Sequence, residues 1–184
     1  MKSVILTTNT IDFNIAKHEV AKLGFDAKPF FAIKDDNPKV SFNKSMQEIM
    51  RSNDGVLALF EDDIVFKANN HLNYALEQLP SDWELCYLGA NITGVVERYS
   101  DNLFKMNGGW TTHAVIYNNP KKICEEYIDT NHMFDDWLST QIHPRGNTYI
   151  TSPMIAWQRV HKSSLWDHVA DYTQLFDGSA NRLI

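Results

Sequence analysis

The sequence predicts an α/β fold in which helices pack on both faces of a mostly parallel sheet. In the first sixty or so residues, three short apolar runs alternate with two segments that have the periodicity of amphipathic helices. Each helical segment is followed by a turn signal, at Gly24 and at Asp54-Gly55. Strands that alternate with helices in this way are typical of βαβ units, whose right-handed crossovers build a parallel sheet.

The N-terminal third supplies these alternating elements. Residues 4–8 are predicted as a buried strand, residues 12–23 as a helix, residues 27–33 as a second strand and residues 56–60 as a third. The second helix carries Phe42, Met46 and Ile49 on one face, and Ser41 is its predicted N-cap.

The rest of the chain continues the pattern less regularly. Helices are expected at residues 71–79, 120–130 and 135–142, and strands at residues 85–88, 112–117 and 149–157. Pro120 suits the first turn of its helix, with Asn118 or Asn119 as the cap. Residues 93–109 are polar and contain glycines, so they are expected to form a loop or hairpin over one end of the sheet.

Composition narrows the class of protein. A chain of 184 residues with 43% hydrophobic residues fits one globular domain covering residues 1–184. The net charge of −6, with scattered basic residues, argues against a large nucleic-acid footprint. No apolar stretch is long enough for a membrane span or signal peptide, which predicts a cytoplasmic protein with Cys86 and Cys124 as reduced thiols.

Three adjacent carboxylates are the first candidate site. Glu61, Asp62 and Asp63 end the apolar run "LALFEDDIVF" and lie at the carboxyl end of a predicted strand, where α/β sheets bind ligands. If the segment is extended, Glu61 and Asp63 share one side and Asp62 faces the other. Such oxygen ligands suit Mg²⁺ or Mn²⁺. The alternative is a solvated turn, and the apolar residues that follow the triplet favour the metal site because they keep the carboxylates near the core.

Six segments occur in a characteristic order and spacing, and they are "SFNKSMQEIM", "VLALFEDDIVF", "WELCYLGAN", "HAVIYNNPKKICEEY", "FDDWLSTQI" and "ITSPMIAWQRVHKSS". This ordered set resembles the family 25 glycosyltransferases, the lipooligosaccharide and collagen galactosyltransferase type. The resemblance implies a GT-A fold, a nucleotide-sugar donor and a divalent metal that bridges a carboxylate to the diphosphate.

The same resemblance assigns the donor site. Asp63 would ligate the metal, and Glu61 or Asp62 would position the ribose or a bound water, with Glu61 as a further metal ligand. Thr7, Thr8 and Asn9 would lie beside the nucleotide, or would simply form a strand-to-helix turn capped by Thr10 or Asp12.

Two basic residues complete the predicted donor site. Lys44 precedes the acidic strand and could reach a phosphate, although exposed lysines commonly have no specific partner. His161, in "WQRVHKSS", is a candidate late metal ligand, with a structural role as the alternative. Gln158 and Ser163 also match the family's tail pattern.

A second acidic pair is the candidate catalytic site. Asp135 and Asp136 begin a predicted helix, where carboxylates commonly act as caps. Sugar transfer with inversion needs a base for the acceptor hydroxyl, and the resemblance places that base at Asp135, with Asp136 secondary. Trp110 and Trp137 are candidate sugar-stacking surfaces, with core packing as the alternative.

These features predict a metal-dependent hexosyl- or pentosyltransferase that uses a nucleotide sugar, with a UDP-linked donor and inversion favoured. The favoured acceptor is a glycan or lipooligosaccharide. A modified base in viral DNA is the alternative acceptor, and a non-catalytic nucleotide- or sugar-binding module is the alternative function. A nucleotidyltransferase is disfavoured, because residues 7–15 contain no Gly-rich, basic phosphate loop.

Overall fold

The structure is a computed structural model that describes residues 1–67, 71–127, 132–162 and 169–184. Its strands are β1 (Lys2–Thr7), β2 (Lys28–Phe31), β3 (Leu57–Glu61), β4 (Ile64–Phe66), β5 (Leu85–Tyr87), β6 (Asn91–Ile92), β7 (Val96–Arg98), β8 (Leu103–Met106), β9 (Gly109–Trp110), β10 (Ala114–Tyr117), β11 (Thr148–Thr151), β12 (Ala156–Gln158), β13 (His161–Lys162) and β14 (Val169–Ala170). Its helices are α1 (Thr10–Ala21), α2 (Pro38–Arg51), α3 (Leu72–Glu77), α4 (Pro120–Glu126), α5 (Phe134–Trp137) and α6 (Thr173–Ala180). A π-helical segment (Leu138–Ile142) continues α5, and short 3-10 turns cover His143–Arg145 and Asn181–Leu183.

The main sheet has the strand order β2-β1-β3-β10-β5-β11-β8-β7. Strands β2, β1 and β3 are parallel to one another, β10 is antiparallel to both β3 and β5, and β11 is parallel to β5. At the other edge, β8 is antiparallel to β11 and β7 is antiparallel to β8. All strands of the described sheet except β8 and β10 therefore run in one direction, which confirms the mostly parallel α/β prediction.

Alternation along the strands divides the core into two layers. In β3, Leu57 and Leu59 join the cluster that includes residues of α2 and α4, whereas Ala58 and Phe60 join the cluster that includes residues of α1 and α3. Successive strand side chains point to opposite faces, so a strand covered by helices on both faces is apolar throughout. This explains the uninterrupted apolar run before Glu61.

Helix boundaries follow from the capping residues. Helix α4 begins at Pro120 and is capped by Asn119, as the sequence predicts. The predicted cap of the second helix, Ser41, is wrong. Helix α2 begins at Pro38 with Asn37 as its N-cap, and the Ser41 hydroxyl instead donates to the carbonyl of Ile33 at 2.6 Å. Proline is favoured at the first helical position, and that signal outweighed the serine.

Two antiparallel pairings differ from the sequence-based expectations. Residues 93–109 contain the hairpin β7–β8, which forms the edge of the main sheet rather than a cover over its end. Strand β4, which was not predicted, pairs with β12 in a small separate ribbon. The extended segment predicted for residues 149–157 is therefore two strands, separated by a cis peptide bond between Ser152 and Pro153.

The cysteine prediction is confirmed, since Cys86 and Cys124 are buried free thiols. Among the described residues, none of the helices is both long and apolar enough to cross a membrane.

Candidate active site

The acidic triplet forms the turn between β3 and β4. Strand β3 ends at Glu61, and Asp62 and Asp63 form the turn that leads into β4. The expectation of an extended segment with strict alternation is therefore wrong here. The chain turns because β4 leaves the main sheet to pair with β12. Each of the three carboxylates is consequently held by a different part of the chain.

Asp62 is held by the end of β1. Its Oδ2 accepts hydrogen bonds from the Thr7 hydroxyl at 2.6 Å and from the Thr8 backbone N–H at 3.2 Å. Thr7 and Thr8 therefore contact the acidic turn, and their predicted position beside a nucleotide stays a prediction. Asn9 is the N-cap of α1, where its side chain accepts from the backbone N–H groups of Ile11 and Asp12, so the proposed caps Thr10 and Asp12 are incorrect.

Asp63 is the most buried of the three carboxylates, with 4% of its surface exposed. Its Oδ2 accepts from Gln158 Nε2 at 2.9 Å and lies 3.4 Å from His161 Nε2. Its Oδ1 is buried and has no hydrogen-bond partner among the described residues. Burial raises the pKa of Asp63 to about 6, an increase that the neighbouring His161 and Arg159 partly oppose.

The ring of His161 is oriented by the backbone. Its Nδ1 lies 3.0 Å from the carbonyl oxygen of Arg159, which acts as a hydrogen-bond acceptor. In the neutral imidazole this bond places the proton on Nδ1 and leaves a lone pair on Nε2, the atom that faces Asp63. A backbone carbonyl that fixes the second ring nitrogen is a common feature of histidine metal ligands.

Arg159 clamps the acidic turn and was not singled out from the sequence. Its backbone N–H donates to the carbonyl of Asp63 at 2.8 Å, and its guanidinium donates to the carbonyl of Asp62 at 3.0 Å and to the carboxylate of Asp12. Gln158 and His161 are positioned because β12 pairs with β4 immediately after the turn. The only sequence signal for Arg159 was its place in "WQRVHKSS". Ser163 lies outside the described residues.

Glu61 is held from the β10 side. Its Oε1 accepts from the Thr112 hydroxyl at 2.9 Å. Burial, followed by the charge of Asp63, raises the pKa of Glu61 well above its usual value. The burial and the neighbouring charge both disfavour the ionised form of Glu61.

Asp135 lies in the first turn of α5. Asn43 of α2 caps this helix from a distance, because its Oδ1 accepts from the N–H of Phe134 at 3.1 Å and its Nδ2 donates to the carbonyl of His132. Asp135 is half-buried, and its Oδ1 accepts from the backbone N–H of Asp136 at 3.0 Å. Burial, with a contribution from the charge of Asp136, raises the pKa of Asp135.

The two tryptophans predicted as stacking surfaces differ in their solvent exposure, because one of them belongs to the packed core around α5. Phe134 and Leu138, four residues apart, are fully buried and anchor the helix in the core. Trp137 is 7% exposed and packs against Phe134 and Tyr127, so it is a core residue. Trp110 is 44% exposed.

Two cavities meet at the acidic turn. The first, of about 550 Å³, lies beside the ends of β1 and β2 and the start of α2, and its walls include Thr7, Thr8 and Asp35. The second, of about 340 Å³, is lined by residues that include Asp63 and Asp135. The two cavities share three wall residues, which are Phe42, Glu61 and Asp62.

The second cavity brings the remaining predicted residues together. His161 and Asp136 also line it, so the candidate metal ligands and the candidate base face the same space. Lys44 lies on α2, and its ammonium donates to Asp35, a wall residue of the first cavity, at 2.8 Å. The predicted contact of Lys44 with a phosphate stays a prediction.

The metal prediction can be tested against the donor set. Within the described parts of the chain, no group of three or more His, Cys, Asp or Glu side chains has the arrangement of a complete metal site. Asp63 and His161 nevertheless converge, and the unpartnered Oδ1 of Asp63 is a buried acceptor that a cation would satisfy. Two protein ligands fit Mg²⁺ or Mn²⁺ bound to a nucleotide, because such ions take further ligands from phosphates and water.

No known protein family and no curated protein matches the chain in sequence. Among solved structures, the chain is similar to A197 from STIV, with a TM-score of 0.54, 12% identity, and coverage of 88% of this chain and 87% of the other. A Drosophila beta-1,4-galactosyltransferase 7 mutant in complex with manganese, UDP-Gal and xylobiose has a TM-score of 0.44 and 12% identity. The match covers 94% of this chain and 72% of the other. A third neighbour, HddC from Yersinia pseudotuberculosis, has a TM-score of 0.44 and 14% identity. The match covers 82% of this chain and 69% of the other.

These likenesses concern the fold. At 12% identity, the similarity to A197 over most of both chains shows a shared α/β architecture and does not transfer a function. The predicted fold class, a mostly parallel α/β sheet flanked by helices, is confirmed. The comparisons do not single out family 25, and that resemblance stays a prediction.

Proposed function

We propose that this chain, as a single domain over residues 1–184, is a metal-dependent glycosyltransferase that uses a nucleotide sugar, with UDP favoured as the nucleotide. One observation carries the proposal. Asp63, His161 and Asp135 line one cavity, the Oδ1 of Asp63 is buried without a partner among the described residues, and that cavity joins a second one along the end of β1.

The two joined cavities suit the two halves of a nucleotide sugar. The nucleoside would occupy the larger cavity beside Thr8, at the carboxyl ends of parallel strands, where α/β folds bind nucleotides. The diphosphate would lie over the acidic turn, and the sugar would enter the smaller cavity toward Asp135. Asp62, which Thr7 and Thr8 orient, would accept hydrogen bonds from the ribose.

Asp63 and His161 would hold the divalent cation, with Glu61 nearby. A bound Mg²⁺ or Mn²⁺ would offset the negative charge of the diphosphate as it leaves. Gln158 and Arg159 position the two ligands, the first by a hydrogen bond to Asp63 and the second through its backbone. The free thiols of Cys86 and Cys124 fit the reducing cytoplasm in which we place the enzyme.

Asp135 is the proposed general base. The acceptor hydroxyl oxygen would form a bond to the anomeric carbon from the face opposite the nucleotide, while the bond from that carbon to the diphosphate oxygen breaks. The hydroxyl proton would pass to the carboxylate of Asp135, and the configuration would invert. The partial burial that raises the pKa of Asp135 also makes it a stronger base than an exposed aspartate.

Isothermal titration with UDP-galactose, UDP-glucose and UDP-xylose, each with and without Mn²⁺, tests the donor site. We expect binding that requires Mn²⁺ in the parent protein and is lost in Asp63→Ala. The control is Asp54→Ala, which removes a carboxylate whose side chain is 83% exposed and should leave binding unchanged. Equal donor affinity in Asp63→Ala and parent would overturn the metal assignment. Binding without any sugar transfer would instead support the binding-module alternative.

A further inference from the structure

We propose that the acceptor is an uncharged glycoside whose sugar ring stacks on the exposed indole of Trp110 at the second cavity. The proposal rests on the glycosyltransferase function above and deepens it by naming the chemical class of the acceptor. It depends on three features of the described residues: the charge of the cavity wall, the exposure of Trp110, and the contacts that fix the strand carrying it.

The wall of the second cavity is strongly acidic. Five carboxyl groups line it, and among the described wall residues there is no lysine or arginine; the carboxyl groups belong to Glu61, Asp62, Asp63, Asp135 and Asp136. The nearby guanidinium of Arg159 is already bound to Asp12 and to the backbone of the acidic turn. Phosphate groups of a nucleic acid need basic partners, so this wall disfavours a base in DNA and favours an acceptor without negative charge.

Trp110 offers a flat apolar surface beside the proposed base. Its side chain is 44% exposed and lines the same cavity as Asp135. An aromatic face pairs well with the C–H face of a sugar ring, while the surrounding polar groups bond the ring hydroxyls. Asn91, Thr112 and Tyr172 supply such polar groups on the same wall.

The C-terminal segment fixes the position of Trp110. Strand β9, which carries Trp110, forms a short antiparallel ladder with β6. In this ladder Asn91 lies opposite Trp110 and Ile92 lies opposite Gly109. Strand β6 is in turn held from the C-terminal side. The backbone N–H of Ile92 donates to the buried hydroxyl of Ser179 at 2.9 Å, and the carbonyl of Ile92 accepts from the guanidinium of Arg182 at 2.8 Å.

Close packing at Gly109, the residue before Trp110, also holds β9 against β6. A β-carbon at Gly109 would approach the sulfur of Met106 to 3.0 Å and the carbonyl oxygen of Asn91 to 3.2 Å, so glycine lets β9 lie close to β6 without displacing these neighbours. Tyr172, at the start of α6, lines the cavity as well. The C-terminal segment, for which the sequence suggested no role, therefore both supports the ribbon and contributes to the wall.

The binding test uses saturation-transfer NMR on the full chain with Mg²⁺ and UDP present. The probes are methyl β-galactopyranoside and methyl β-glucopyranoside, with galactose 6-phosphate and a short single-stranded oligodeoxynucleotide as charged counterparts. We expect signal from at least one neutral glycoside and a weaker signal from both charged probes. Stronger binding of the oligonucleotide than of every glycoside would overturn the proposal in favour of a nucleic-acid acceptor.

The kinetic test separates stacking from a structural role. Trp110→Ala should raise the KM for the glycoside acceptor by about tenfold or more and change kcat much less, as expected for a lost aromatic contact. Trp110→Phe should restore most of the loss, because it keeps an aromatic face. Arg182→Gln should give an intermediate increase in KM by loosening β6. Tyr74→Ala, at an aromatic residue of α3 that is 64% exposed, is the matched control and should change neither parameter.

Failure of this proposal can be told apart from failure of the function. If the parent protein does not bind any UDP-sugar in Mn²⁺, the glycosyltransferase proposal is wrong. If it binds and transfers from a donor but Trp110→Ala leaves the acceptor KM within about twofold of the parent value, only the acceptor site is wrong.

Discussion

Replacing the buried imidazole of His143 by a side chain that does not titrate should remove a defined part of the acid sensitivity of the fold. His143 is fully buried, and its Nε2 lies 3.0 Å from the hydroxyl of Tyr87, while its Nδ1 has no hydrogen-bond partner among the described residues. Burial lowers the pKa of His143 from 6.5 to about 4. A second proton on this ring would be buried without an acceptor, which is costly.

The direction of the effect follows from proton linkage. Between pH 6.5 and pH 4 the unfolded chain binds a proton at His143 that the folded chain does not, so stability falls as the pH falls through this window. Above it both states are neutral and the contribution is constant. For these two pKa values, the linkage relation gives a loss of about 2 kcal/mol of unfolding free energy between pH 7 and pH 5.

Urea unfolding at pH 7 and pH 5 measures the effect. His143→Gln keeps a polar group beside Tyr87 and removes the titration, so the difference between the two pH values should shrink by about 2 kcal/mol relative to the parent. Ile142→Val, a packing change at the adjacent fully buried residue, should lower stability by about 1 kcal/mol at both pH values and leave the difference unchanged. An unaltered difference in His143→Gln would refute the reasoning.

The remaining predictions concern the candidate site. Asp135→Asn should keep donor affinity by titration and lower turnover by about 10²–10⁴-fold, whereas Asp136→Asn should cost far less; comparable losses at both would leave the base unassigned. Asn43→Ala should lower the unfolding free energy by about 1 kcal/mol in urea, because the first N–H of α5 loses its cap, and no change would show that water replaces it. Arg159→Gln should weaken Mn²⁺-dependent UDP binding, because the acidic turn loses its clamp, whereas Arg145→Gln, which removes a guanidinium paired with Glu84 and Glu126, should not.

Local sequence patterns were sufficient to predict the strands, helices and caps that depend on nearby residues. The alternating strands and helices of the first sixty residues, the cap of α4 and the buried pair Phe134 and Leu138 all follow from apolar spacing and from turn or capping residues. These features depend on interactions between residues a few positions apart, so a single sequence contains the information that specifies them.

The pairing of strands that are far apart in the sequence could not be predicted from local sequence patterns. The ribbon between β4 and β12 joins segments about ninety residues apart, and three apolar residues after an acidic turn carry no signal for that partner. The insertion of β10 between β3 and β5 is likewise set by packing across the whole sheet. The same limit applies to the site, because the clamp by Arg159 exists only once β12 lies beside β4.

The way in which three adjacent carboxylates are accommodated also decides which of them suits a cation. Asp62 is bound by the hydroxyl of Thr7 and a backbone N–H, and Glu61 is bound by Thr112, with its pKa raised well above the usual value by burial and by the charge of Asp63. Asp63 receives one hydrogen bond from Gln158 and keeps a buried oxygen without a partner in the described structure. Since an unsatisfied buried acceptor is destabilising, a cation bound at Asp63, as proposed above, would relieve that cost. The carboxylate spacing alone could not distinguish Asp63 from its neighbours; the partners brought in by β1, β10 and β12 do.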